Sequence, residues 1–90
     1  MPETRYQWDA GDLDHIAGHG VEDYEAEEAL EDPKRVSHAT YNRGSERRMS
    51  IIGATTTGRI LRVIYTVRNQ LIRVVTARDA DKSEKRRYKR

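Results

Sequence analysis

Residues 59–77, RILRVIYTVRNQLIRVVTA, decide the fold. Arg59–Thr66 is rich in β-branched residues, and Leu71–Ala77 repeats that composition after a tight turn at Arg68-Asn69. Two strand-length runs joined by turn residues predict a hairpin rather than a helix. Working back from it, Glu46–Ala54 reads as a further strand, with Met49 and Ile51 alternating against Arg48 and Ser50. Thr55–Gly58 is the turn that follows. Arg35–Tyr41 is the strand before, closed by a turn at Asn42-Arg43-Gly44.

The N-terminal third has helical spacing instead. Arg5–Trp8 predicts a short strand, with Tyr6 and Trp8 facing the same way. Asp9 caps the first helix, and Trp8 and Leu13 stand in the relation of a hydrophobic staple. Leu13, Ile16 and Ala17 form its apolar stripe, and Gly20 stops it. In the second helix Glu22 is a poor cap, but Val21 and Ala26 repeat the staple. Ala26, Ala29 and Leu30 supply the buried stripe, and Asp32-Pro33 ends it. Ala80–Arg90 lacks β-branched residues, so residues 82–90 are predicted as a basic C-terminal helix or tail. The order β-α-α-β-β-β-β-α predicts an α+β domain, an antiparallel sheet with helices packed on one face. The other face would carry arginines and stay wet, as antiparallel sheets permit.

Ninety residues leave room for one domain, 1–90, burying roughly 60–65% of the surface of the unfolded chain. The longest apolar runs, such as Val63-Ile64-Tyr65, fall far short of the about 20 residues a membrane span requires. The N-terminus lacks the apolar core of a signal peptide, so a soluble cytoplasmic protein is expected. The absence of cysteine excludes disulfides and thiolate metal sites.

The net charge of +2 conceals a segregation. Through Asp32 there are eleven acidic residues against the single base Arg5; from Pro33 onward there are sixteen bases against four acids. A polyanion would be drawn to the second half and repelled by the first. Arg47, Arg48, Arg59, Arg62, Arg68, Arg73 and Arg78 lie in or beside the later strands, and alternation turns Arg59 away from Arg62 and Arg73 away from Arg78. Lys82, Lys85, Arg86, Arg87, Lys89 and Arg90 extend the basic run. Such a surface suits phosphate through the planar arginine fork. The same pattern also fits solvated charge or a partner-protein face.

Glu84 and Tyr88 are four apart and would share a helix face, with Arg78 at the end of the preceding strand. A carboxylate, a phenol and a guanidinium are the groups RNA cleavage needs, to remove the 2′-hydroxyl proton and to stabilise charge on phosphate. Equally, Glu84 could pair with a neighbouring base and Tyr88 pack on the sheet edge. His15 and His19 have metal-ligand spacing but lack the zincin glutamate and a third ligand. His19, at a helix end, suits the exposed carbonyls. His38, on a strand, is either a general base or structural, since histidine side chains titrate near neutral pH. No glycine-rich phosphate loop follows a strand.

Motifs recur in order over roughly residues 6–88 that carry a family likeness: Trp8-Asp9, His19-Gly20-Val21 with the Glu-rich helix, Asp32-Pro33, and Glu46 and Arg48 ahead of Ile52-Gly53. Gly58-Arg59-Ile60-Leu61, Tyr65-Thr66-Val67-Arg68, Ile72 through Arg78, Ala80, Glu84 and Tyr88 complete the series. In these the chain resembles the BrnT family, ribonuclease toxins of type II toxin–antitoxin systems with a RelE-like fold. It departs from the family's Asn and Lys at His15 and Gly18, which leaves one basic contact in question. The resemblance implies translation inhibition by a metal-independent endoribonuclease, without a cofactor or metal, restrained by a ribbon-helix-helix antitoxin of the BrnA kind in a possible hetero-oligomer. It implies catalytic roles for Arg78, Glu84 and Tyr88, and RNA binding by Arg48, Arg59, Arg62, Arg68, Arg73 and Lys82. The alternative is a non-catalytic toxin-like module that binds RNA or protein.

Overall fold

Asp9 opens the first helix as expected, its side chain accepting the Asp12 amide at 2.8 Å. In the computed structural model, which describes residues 5–89, the elements run β1 (Tyr6–Gln7), α1 (Ala10–Ala17), α2 (Asp23–Glu31), β2 (Val36–Arg43), β3 (Glu46–Ala54), β4 (Ile60–Arg68), β5 (Leu71–Asp79) and α3 (Lys82–Tyr88). The predicted order holds. Arg90, the last residue of the basic run, lies outside the described residues.

Local chemistry explains the helix ends. Gly20 takes the left-handed conformation, with φ of 73°, just beyond α1. At the start of α2 the Glu25 carboxylate reaches back to accept the Glu22 amide at 3.0 Å, so Glu22 works as a cap despite its type. The predicted α1 stripe shrinks to Ile16, because Leu13 is 37% exposed. Asp32 stops α2 and its carboxylate accepts the amides of Lys34 and, at 2.8 Å, Ala54. That second bond ties the end of the helix to the end of β3.

The sheet runs β1-β5-β4-β3-β2. The last four strands pair antiparallel, but β1 pairs parallel with β5, Tyr6 opposite Ile72 and Gln7 opposite Arg73. The sheet is therefore mixed, not purely antiparallel. A two-residue edge strand carries no pattern from which its direction could be predicted. The β4–β5 turn sits one residue later than expected, at Asn69 and Gln70, which have φ of 53° and 65°. Paired left-handed residues match the twist of a two-residue hairpin.

Leu61, Val63, Val74, Ala77 and Ile51 point to one side and close a core with Ile16, Val21, Ala26, Ala29 and Leu30. Neighbours along a strand face opposite ways, so Arg62, between Leu61 and Val63, points to the other side. There it aligns with Ile52 on β3 and Arg78 on β5. Glu84 of α3 meets Arg62 and Arg78 on this second side. The helices do not share one face, as the sequence suggested: α2 and Ile16 of α1 cover the core side, Asp12 and His15 of α1 reach Arg73 and Thr76 on the opposite side, and α3 caps one end of that opposite side. Arg87 donates to the Ser37 carbonyl at 2.9 Å, and the Tyr88 hydroxyl donates to Asp32.

Gly53 marks the closest approach of helix to sheet. A Cβ there would run into the Ala29 carbonyl oxygen, a backbone atom that cannot swing away. Gly53→Ala is expected to lower stability by about 3 kcal/mol through overpacking. Gly44→Ala, strained only by φ of 62° with open space around it, should cost about 1 kcal/mol. Urea unfolding of the two variants checks the order, and equal losses would contradict the close packing of α2 on β3.

Candidate functional site

The centre of the second face is a single carboxylate. Glu84 is 5% exposed and receives both terminal nitrogens of Arg78, Nη1 at 2.9 Å and Nη2 at 3.1 Å. Its Oε1 also accepts the Asp81 amide at 2.9 Å, while Asp81 caps α3 by accepting the Glu84 amide at 2.8 Å. Arg62 Nε stands 3.5 Å from Glu84 Oε2 and His38 Nε2 stands 3.8 Å from the same oxygen. Burial pushes the Glu84 carboxyl upward, but the Arg78 fork, the Asp81 amide and the Arg62 charge outweigh it and hold the group below the ordinary glutamate range. It is a carboxylate at neutral pH.

One carboxylate facing two guanidiniums leaves a unit of positive charge uncompensated within the cluster. Arg62 Nε, moreover, is buried and has no hydrogen-bond partner. The surplus charge favours an incoming anion. With an effective dielectric of about 20, one unit charge about 4 Å from a phosphate contributes about 4 kcal/mol. The chain could gain that by binding, and Arg78, Arg62 and His38 are each partly exposed.

The other predicted arginines do not join this cluster. Arg59 donates to Asp79 at 2.7 Å and 3.1 Å, to Glu25 at 3.1 Å and to the Gly20 carbonyl at 2.8 Å, on the core side. These partners hold its guanidinium more firmly protonated than usual, the Asp79 hydrogen bonds foremost, and Arg59 drops out of the candidate site. Arg73 pairs with Asp12 at 3.1 Å and Asp9 at 3.3 Å, at the N-terminus of α1. Arg48 and Arg68 share Glu46, at 3.1 Å and 2.6 Å, and pull its carboxyl below the ordinary range. Lys82 is exposed on the first turn of α3. The arginines of the later strands thus form four groups, each anchored on carboxylates. The few acids of the basic half, with three from α1 and its neighbours, have found the arginines.

Of the predicted catalytic trio, Arg78 and Glu84 meet. Tyr88 does not. Its hydroxyl donates to Asp32, and that hydrogen bond, then burial, pushes its pKa up to about 12. The tyrosine links α3 to the end of α2 and is poorly suited to proton transfer near neutrality. His38, read from the sequence only as a lone strand histidine, is the titratable side chain that does reach the cluster.

Beside the cluster lies an open depression of about 560 Å³, lined among others by Asp12, His15, Tyr41, Arg43, Arg48 and Thr76. His15 Nε2 is 3.0 Å from the Thr76 hydroxyl, and the His15 and His19 rings meet edge to face with centroids 5.3 Å apart. Among the described residues no three His, Cys, Asp or Glu side chains group as metal ligands. Tyr41, Arg43 and Thr76 carried no signal in the sequence. They lie on β2 and β5, which are not neighbours in the sheet, and only the folded chain brings them to one depression.

The profile of the family described as ribonuclease toxin, BrnT, of type II toxin–antitoxin system matches residues 8–84. No curated protein matches the chain.

Glu84→Gln keeps the shape but removes the charge under two guanidiniums, and should cost about 3 kcal/mol of stability. Because the folded-state pKa of Glu84 lies below its ordinary 4.5, its contribution is complete above that pH and is lost as pH falls through the lower folded value. The variant's stability should accordingly decline less than the parent's on acidification. Parallel acid-side curves in denaturant titrations would contradict this.

Proposed function

The chain belongs to the BrnT family, ribonuclease toxins of type II toxin–antitoxin systems, and on that premise we propose that it is an endoribonuclease that inhibits translation by cutting RNA. The observation that carries the reading is the uncompensated positive charge of Arg62 and Arg78 around Glu84, on a sheet face left open beyond α3. A backbone phosphate would settle against the partly exposed guanidiniums of Arg62 and Arg78.

In the proposed reaction His38 accepts the proton of the ribose 2′-hydroxyl. The 2′-oxygen attacks the neighbouring phosphorus, the bond to the 5′-oxygen breaks, and that oxygen leaves with a proton from solvent water, while the imidazolium returns its proton to solvent. A cyclic phosphate and a 5′-hydroxyl result. Arg78 and Arg62 stabilise the charge gathering on the phosphate oxygens, and Glu84 positions both as well as the imidazole. No metal enters this scheme. Tyr88 is an anchor of α3 in this reading, Arg73 is taken up by Asp9 and Asp12, Lys82 and the surplus charge of Arg48 and Arg68 around Glu46 steer the RNA backbone, and the place of action is the cytoplasm. The sheet presents its second face to RNA in the manner of a RelE-like fold, and the antitoxin is a ribbon-helix-helix protein of the BrnA kind.

A second reading, a module that grips RNA or protein without cutting, is favoured by one observation. Both terminal nitrogens of Arg78 are already engaged by Glu84, as in a structural ion pair. Cleavage separates the two. Antitoxin-free protein should degrade RNA with a chelator present, and His38→Gln should lower the rate by about a hundredfold or more. Arg78→Lys, which keeps a charge beside Glu84 but loses the fork, should lose most activity with its fold intact by circular dichroism. Salt-dependent binding without any cleavage product would leave the gripping module, and full activity in both variants would remove these residues from the mechanism.

A further inference from the structure

We infer that the depression beside the Arg62–Arg78 cluster seats a single unstacked nucleobase of the RNA, with Tyr41 as its stacking platform. The inference rests on the reading that this face takes RNA, and it adds where sequence preference would arise. Thr76 lines the depression and stands two residues before Arg78 on the same face of β5, about 7 Å along the strand. That is roughly the reach of one nucleotide. A phosphate held at Arg62 and Arg78 therefore delivers an adjacent base to the depression.

The lining suits a base better than it suits a phosphate or an apolar side chain. Tyr41 is 41% exposed, and its hydroxyl makes no hydrogen bond to another described residue. Val75 adds an apolar contact, brought there by the irregularity in the β4–β5 pairing between Ile64 and Tyr65 that leaves Val75 without an opposite residue. Polar atoms sit at the other wall. The His15 ring and the Thr76 hydroxyl, 3.0 Å apart, offer both donors and acceptors to the edge of a ring. Arg43 and Arg48 stand on the rim, where flanking phosphates would pass.

An aromatic face flanked by cations is the usual platform for a single-stranded base. A volume of about 560 Å³ accepts one base and not a duplex.

The test uses antitoxin-free protein and a short fluorescein-labelled single-stranded RNA protected by 2′-O-methyl riboses, with binding read by anisotropy. Tyr41→Ala should weaken binding about tenfold, the loss of one stacked base, while Tyr41→Phe should leave it nearly unchanged. One abasic substitution in the RNA should weaken binding to the parent by a similar factor and have little further effect on Tyr41→Ala, because both changes remove the same contact. Thermal melts of each variant establish that the fold survives. If the parent binds RNA but Tyr41→Ala binds equally well, or every abasic penalty persists in the variant, the inference is overturned while the ribonuclease reading stands. If Tyr41→Ala instead weakens only the antitoxin complex, the depression is a protein contact and the inference fails. A parent that neither binds nor cuts RNA overturns both.

Discussion

A buried carboxylate needs partners, and Glu84 has more than it needs. Removing a carboxylate from water costs several kcal/mol, and the penalty is repaid only when charges and hydrogen bonds surround it. Here Arg78 supplies two bonds, the Asp81 amide a third, and Arg62 and His38 approach within 4 Å. Since α3 has seven residues, too few to be stable alone, its position depends on this contact and on Tyr88 and Arg87 at its other end. Fold and chemistry therefore meet in one side chain. The group that docks the helix also leaves the two arginines with a charge to share.

Charge segregation along the chain does not survive folding as a simple dipole. Arg59 crosses to Glu25 and Arg73 to Asp9 and Asp12, so the acidic N-terminal third neutralises two of the most central arginines. Within the basic half, Glu46 gathers two more and lies below its ordinary titration range as a result. Cation density is thereby divided among separate carboxylate-anchored groups, of which those at Glu84 and Glu46 keep a surplus positive charge. The face that remains selective for anions is small, built on Arg62 and Arg78, with the exposed lysines of α3 as a diffuse fringe.

Periodicity and turn chemistry carried most of the fold. The hairpin of residues 59–77, the caps at Asp9 and Asp32, and the turns at Gly44 and Gly58 are local features, legible because each is determined by a few adjacent residues. The opposite facings of Arg59 and Arg62 followed from strand alternation and hold in the structure, whereas those expected of Arg73 and Arg78 do not: the irregularity at Val75 sets them opposite Thr66 and Arg62, on one face. What stayed hidden is non-local. Nothing near β1 indicates that it pairs parallel to β5, and nothing near Tyr88 points to Asp32, which lies far back in the chain. The site divides in the same way. Arg78 and Glu84 are six residues apart and could be read together, whereas the approach of His38 depends on how β2 sits beneath α3. Arg62 was visible as a strand arginine, but its unsatisfied nitrogen is a property of packing. Tyr41 and Thr76 share a depression only in the folded sheet, where two other strands lie between theirs.

The parallel pairing of Tyr6 with Ile72 has a kinetic meaning. Contacts between the two ends of a chain form late, because a long loop must close before they reward it. During synthesis on the ribosome, β1 and α1 have no sheet edge to dock on until β5 has emerged, and Arg73 reaches Asp12 only then. α3 follows later still. A nascent chain consequently has neither its cationic cluster nor the wall of its depression until β5 and α3 have been made, which delays any activity of this face until those segments have left the ribosome.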